Sequence, residues 1–411
     1  PLPKSPPVEA MATQPFLSPL PPSVGHTRRI LGLLSATVFV TITYEILPIG
    51  LLTPIAVGLG VDEQAAGLLV GGFALVVAVG SIPLSALAAR FNARTTLLVL
   101  LGVMALSSGL FAASTNLAIA FVARLIGGAA HAVIFISVYR LALAVVPIQR
   151  RGRAASTVAI GNGVALALGV PLATALGTAT SWRMAFVVLA VSFVVAGALV
   201  QLLVPQDLHD VGQRLSAATV LTAVRQAPLL QAGLTILILT AAHFAAYTYI
   251  DPILQQAGVA PAGISLVLLG YGVAGVVGLL AVTPFTDRRP RLLTIATMAV
   301  VAAAIAGLLL GRTSVTITVA AVIVWGLALG AFPVLGQVLA IRASPELPAA
   351  AAPMSNTSFN VGITLGSAVG GLILTTFGTA PLIIASVTVA VVITGLSLLP
   401  GWLPADRPAP R

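Results

Sequence analysis

The sequence predicts an all-α integral membrane protein of twelve transmembrane helices in two pseudo-symmetric six-helix bundles. Three observations predict it. Only 7% of the 411 residues are charged while 58% are apolar, against about 25% charge in a soluble domain. The charges sit in clusters, and between them run apolar stretches of about 20 residues, the length that crosses a ~30 Å hydrocarbon core as a helix. The chain also repeats itself weakly after a shift of 198 residues.

The apolar stretches fall at 30–52, 64–88, 96–114, 117–138, 154–178 and 182–204, then at 229–251, 262–284, 291–311, 315–340, 353–378 and 380–400. Lipid offers the backbone no hydrogen-bond partner, so a spanning segment is a helix or part of a closed barrel. Barrel strands are about 10 residues long and alternate; these runs are longer and do not. Residues 1–27, rich in Pro and Ser at their start, read as a disordered tail. Arg28-Arg29 before an apolar run resembles an export signal, but Glu45 interrupts the run and no cleavage site follows, so a retained first helix is expected. The polar interval 205–228 divides a half at 28–204 from a half at 229–400, and 401–411 is a C-terminal tail.

The net charge of +10 raises nucleic acid as a partner, yet its distribution points to the bilayer instead. All Lys and Arg except Arg124, Arg183 and Arg312 fall in the tails and the inter-helix segments on the N-terminal side. This is the positive-inside pattern. It places both termini in the cytoplasm, and the predominance of arginine over lysine points to a bacterial chain, hence a bacterial plasma membrane. There is no cysteine, which excludes disulfides and thiolate metal sites. The four histidines lack metal-ligand spacing, no phosphate-binding GxxxxGK[ST] loop occurs, and no catalytic constellation stands out. No enzyme activity and no cofactor are expected.

The 198-residue shift carries Ala89-Arg90 onto Asp287-Arg288, Gly80 onto Gly278, Asn162 onto Asn360 and Glu45 onto His243. Small-residue stripes align better at 197. Two parallel six-helix halves related by an axis along the membrane normal are an arrangement of transporters, with the substrate near the midplane between the halves.

Within that frame a few residues carry chemistry. Arg124 lies deep in span 4, where a charge is costly and faces the bundle interior. It holds a substrate or an acid, or forms a structural ion pair with Glu45. His131 follows on the same helix face and is a candidate to titrate or a hydrogen-bonded core residue. Glu45, in ITYEILPIG, is an acid in a span; burial changes the balance between a carboxylate's protonation states, which suits proton coupling. His243, Tyr247 and Tyr249 precede Asp251 in span 7 and, with Tyr44, Asn162 and Asn360, are candidate substrate contacts. Asp251 reads as an outer-interface residue. Gly161, Ala165, Gly169, Ala173 and Gly177 recur every four residues in span 5, with Pro171 among them. Ser358, Gly362, Gly366 and Gly370 repeat the stripe in span 11. Such stripes pack helices tightly and serve here either as plain packing or as a rocking seam.

In order, these segments resemble the major facilitator superfamily, and within it the twelve-helix drug–proton antiporters, nearest to the bacterial arabinose- and sugar-efflux and chloramphenicol-exporter branch. The carriers are ITYEILPIGLLTPIA, RLIGGAAHA, GNGVALALGVPLATALG, SWRMAF, FAAYTYI and NTSFNVGITLGSAVGG. The resemblance covers roughly 28–400. The stretch SALAARFNAR departs from the family's pattern between helices 2 and 3: Ser85 stands for Gly and Ala89 for Asp. Arg90 and Arg94 remain, and the acid survives only as Asp287 beside Arg288.

The resemblance implies proton-coupled efflux of small drug-like or sugar-like molecules by alternating access, driven by the proton gradient. Glu45 is then the proton carrier, with Arg124 and His131 tuning it. The cavity is lined by spans 1, 2, 4, 5, 7, 8, 10 and 11, and Gly161, Gly169, Pro171, Gly177, Arg90, Asp287 and Arg288 act in the conformational change. A monomer is expected. A metabolite importer or facilitator, or a membrane sensor that does not transport, are the alternatives.

Overall fold

A computed structural model describes residues 24–206, 226–286, 288–345 and 351–406. Among them, twelve helices are long and apolar enough to cross a membrane. Spans 1 to 6 are Gly25–Gly50, Glu63–Ala88, Ala93–Ala113, Leu117–Ala144, Ile148–Ala179 and Trp182–Leu203. Spans 7 to 12 are Ala227–Tyr247, Pro261–Phe285, Pro290–Leu310, Val315–Ala343, Pro353–Phe377 and Thr379–Leu398.

Capping residues set several starts. Asp62 accepts from Ala65 N at 2.7 Å, Asn92 from Arg94 N at 2.9 Å and Asn116 from Ile119 N at 3.0 Å. Each satisfies a backbone donor that the first helical turn leaves unpaired. Pro261 and Pro290 open spans 8 and 9, where a missing N–H costs nothing. Pro171 acts differently. It follows a π-helical turn at Ala165–Gly169 that splits span 5 into Arg151–Val164 and Val170–Ala179, because a proline inside a helix breaks the hydrogen-bond ladder.

The ends differ from the sequence reading. The first helix begins at Val24, inside the predicted tail. Span 1 stops at Gly50, and a separate short helix, Leu52–Leu59, follows it. The start of the C-terminal tail is packed: Trp402 Nε1 donates to Thr235 Oγ1 at 3.0 Å, and Asp406 accepts from Arg291 N at 2.8 Å. Most of the interval 205–228 lies outside the described residues.

The two halves use one packing scheme. Span 1 packs on 5, 2 on 4, and 3 on 4 and 6; likewise 7 packs on 11, 8 on 10, and 9 on 10 and 12. The halves meet along two seams, span 2 with span 11 and span 5 with span 8, which the pseudo-twofold exchanges. Large apolar side chains such as Leu202, Val79 and Leu266 remain exposed on the outside of the bundle, the surface that lipid tails cover.

Candidate functional site

The site is built outward from a proline. Pro48 lies inside span 1 and has no N–H, so the carbonyl of Tyr44, four residues earlier, loses its helical partner. Arg124, 0% exposed, supplies the donor instead: Nη1 bonds the Tyr44 carbonyl at 3.0 Å. Nη2 bonds the Glu45 carbonyl at 2.9 Å and Nε the Leu69 carbonyl at 3.2 Å. The guanidinium lies over the Phe73 ring, 4.1 Å from its centroid, a favourable cation–π contact. One side chain of span 4 thus ties spans 1 and 2 together.

The Arg124–Glu45 ion pair weighed from the sequence does not form. Arg124 takes the backbone of Glu45, and the carboxylate turns to His131, with Oε2 3.4 Å from Nε2. His131 is flanked by the Phe73 and Phe135 rings, and its Nδ1 is buried without a partner. The Glu45 side chain is 14% exposed. It borders a small cavity lined by Glu45, Ile46, Val70, Phe73, Ala74, Arg124, Phe244 and Ile363, with room for about one water. Spans 1, 2 and 4 supply one wall and spans 7 and 11 the other. An acid and a fixed cation therefore face a void between the halves, with His131 contacting the acid from outside the cavity lining.

Comparisons with known proteins agree with this architecture. The sequence model described as Major Facilitator Superfamily matches residues 33–352. The chain belongs to the major facilitator superfamily. It is 31% identical to a chloramphenicol efflux pump of Mycobacterium tuberculosis strain H37Rv, over 84% of this chain and 85% of the relative. It is 27% identical to a probable sugar efflux transporter of Helicobacter acinonychis, over 84% and 88%. Among solved structures, the nucleoside transporter NupG aligns with a TM-score of 0.73 at 16% identity, over 91% of this chain and 98% of that one. A bacterial homologue of the human lysosomal transporter Spinster aligns at 0.69 and 14%, over 91% and 97%. These two show the fold. The protein is a multi-pass membrane transporter, not an enzyme, and efflux pumps are among its relatives.

In this major facilitator fold the remaining predicted residues disperse. Tyr44 is buried inside the N-terminal half, its hydroxyl 2.7 Å from Ser107 Oγ and its ring edge-on to Phe186 and Phe193; it does not line the central cavity. Tyr249 does not either: its hydroxyl donates to the Ser367 carbonyl at 2.6 Å on the side opposite the chain ends. His243 and Tyr247 stand one layer behind Phe244. Their rings stack at 4.8 Å, Tyr247 stacks on Tyr271 at 4.9 Å, and Trp325 sits edge-on to all three.

Asn162 and Asn360, matched by the repeat, do not meet. Asn162 is exposed on span 5, while Asn360 is buried and donates to the Asn356 carbonyl at 2.9 Å. Arg90 and Arg288 are exposed at the ends of spans 2 and 8. Asp287 lies outside the described residues.

The small-residue stripes are not the seam between the halves. A Cβ at Gly161 would strike the Ser35 carbonyl, at Gly169 Thr43 and Phe39, and at Gly177 Leu51, so the span 5 stripe packs on span 1 and its C-terminal neighbours. The span 11 stripe packs on span 7, with Gly362 against Leu237 and Thr240 and Gly366 against Ala241. Between the halves, Gly272 of span 8 meets the backbone of Leu166 and Ala167 in the π turn. Sequence reasoning missed the polar links of the other seam, Asn356 Nδ2 to Ser81 Oγ at 3.1 Å and Thr364 Oγ1 to the Gly71 carbonyl at 3.1 Å. Lone Ser and Thr in apolar runs were their only signal.

Proposed function

We propose that the protein is a proton-coupled exporter of small drug-like or sugar-like molecules, working by alternating access between its halves. The observation that carries the reading is the Glu45 carboxylate, set beside His131 on the wall of the cavity between the halves. A carboxylate there exchanges a proton with the cavity, and Arg124, held by three carbonyls, is a fixed positive charge beside it. The side bearing both chain ends is cytoplasmic in this reading, in line with its arginines, the membrane is a bacterial inner membrane, and the carrier is a monomer. The efflux pumps among its relatives support outward transport and this range of cargo.

Purified protein in liposomes that enclose a pH-reporting dye tests this. A pH gradient is imposed and a panel of antibiotics and sugars is added. Proton movement that depends on a substrate and vanishes in Glu45→Gln is the expected result. Substrate movement without protons in both proteins overturns the coupling and leaves a facilitator.

A further inference from the structure

On the side opposite the chain ends, span 7 stops at Tyr247 and a short helix follows, Ile250–Gln256. Asp251 lies in its first turn and is 1% exposed. Its carboxylate reaches the other half: Oδ2 accepts the backbone N–H of Thr53 at 3.0 Å, in the first turn of Leu52–Leu59. Oδ1 accepts the Gln255 amide at 2.7 Å. Beside it, the Tyr249 phenol is wedged where a Cβ on either Gly67 of span 2 or Gly371 of span 11 would strike it. Thr375 Oγ1 and Gln64 Oε1, 2.7 Å apart, close the seam further. A buried carboxylate therefore sits inside the contact that seals this side.

Among the described residues no Lys, Arg or His lies within ion-pair distance of it. Of the elements packed against Ile250–Gln256, Leu52–Leu59 carries no ionisable residue, span 1 carries Glu45 before its end at Gly50, and span 8 carries Tyr271 beyond its first turns. Span 2 begins with another acid, Glu63, which faces Asp251, after Asp62. Arg183 stands at the far end of Leu52–Leu59, 3.4 Å from the Gly58 carbonyl.

We propose that Asp251 is a second proton-binding site, and that proton uptake there favours closure of the seam between the halves on the side opposite the chain ends. Burying an ionised carboxylate without a cation is opposed by its lost hydration, and the start of one short helix offsets only part of that. Protonation removes the charge. One oxygen still accepts from Thr53 N, and the new O–H donates to the Gln255 amide oxygen once that amide flips. Burial pushes the Asp251 carboxyl above the usual carboxylate range; the bonds from Gln255 and Thr53 pull it down, and Glu63 adds a further upward push. The sign follows from linkage: the sealed state binds the proton more tightly than an open state with a hydrated carboxyl. Sealing is therefore favoured in acid and loses that support as pH rises through the sealed-state value. In an antiporter this ordering lets the outer face close behind an entering proton, so the role of the site rests on the transport reading, while its chemistry is measured separately.

The absence of cysteine makes spin labelling direct. Val57→Cys and Leu310→Cys place labels at exposed positions on this side of each half. The distance between them is read by double electron–electron resonance in nanodiscs, at about pH 5.5 and about pH 8. The expected result is a several-fold larger sealed population in acid, and a sealed population at both values in Asp251→Asn, which mimics the protonated acid. No pH response, or an unchanged response in Asp251→Asn, overturns the proposal. Should Asp251→Asn fail to fold, Asp251→Glu must keep the response. Glu45→Gln must keep it too; loss there assigns the response to Glu45 and overturns the proposal. If Glu45→Gln instead still couples transport, the reading of Glu45 falls and the Asp251 result stands.

Discussion

The two halves share a frame and differ in what they hang on it. In the N-terminal half, Gly128 of span 4 lets the Phe73 backbone of span 2 approach; in the C-terminal half Gly326 does the same for Tyr271. Arg94 at the start of span 3 donates to the Gln201 carbonyl at the end of span 6, at 2.8 Å. Arg291 at the start of span 9 donates to Leu398 and Leu399 at the end of span 12, at 3.0 and 3.1 Å. Yet where the first half holds Glu45, Arg124 and His131, the second holds His243, Tyr271 and Trp325, stacked and uncharged in character. Close backbone packing is duplicated, whereas the cluster of acid, arginine and histidine on spans 1 and 4 occurs in one half alone among the described residues. A repeated scaffold needs the same small residues twice, whereas a buried charge is costly enough to be kept only where it is used.

The comparison breaks most visibly at Arg124. Arg124→Leu leaves the Tyr44, Glu45 and Leu69 carbonyls without their donor and is expected to cost about 3–5 kcal/mol, read as a large drop in Tm of the purified protein. Adding Pro48→Ala returns an N–H to Tyr44 and recovers part of that loss; a double-mutant cycle with no coupling would dismiss the proline account. The C-terminal half has no counterpart to this effect.

Glycine substitutions probe what is shared. A Cβ at Gly128 would lie 2.8 Å from the Phe73 carbonyl oxygen, and one at Gly326 meets the Tyr271 carbonyl. Gly128→Ala and Gly326→Ala are each expected to cost about 1–3 kcal/mol, as overpacking does. Gly80 and Gly278, also paired by the repeat, sharpen the contrast: a Cβ at Gly80 meets the flexible Leu84 side chain and, at ordinary contact distance, Ala132, while one at Gly278 strikes the Leu327 carbonyl. Thermal melts should show Gly278→Ala destabilised and Gly80→Ala close to the parent. The smallest effect is at the helix ends. Arg94→Ala and Arg291→Ala each lose a charged donor to terminal carbonyls, about 1 kcal/mol in partly exposed surroundings, and equal losses would confirm that the two caps are equivalent.

Much of this was legible in the sequence, for reasons that differ by residue. Arg124 and Glu45 stood out because a charge in an apolar run has no local explanation. The stripes in spans 5 and 11 were visible as tight faces, but sequence spacing says how small a face is, not which helix meets it; both turned inward to the first helix of their own half. Asn162 and Asn360 matched in register, yet one is exposed and the other is tied to Asn356 by a contact no repeat encodes. Asp251 read as an interface residue because its partner, Thr53, is 198 residues away.

By itself, then, the sequence determined the number and type of the spans, the division into two related halves and the depth of its few charges, because transfer into hydrocarbon and backbone hydrogen bonding are decided segment by segment. Only the tertiary structure decided that Arg124 satisfies carbonyls rather than a carboxylate, that Glu45 turns to His131, and that Asp251 crosses between the halves. Those choices depend on which donors and acceptors lie within about 3 Å once the helices have packed, and neither apolar composition nor spacing along the chain sets that distance.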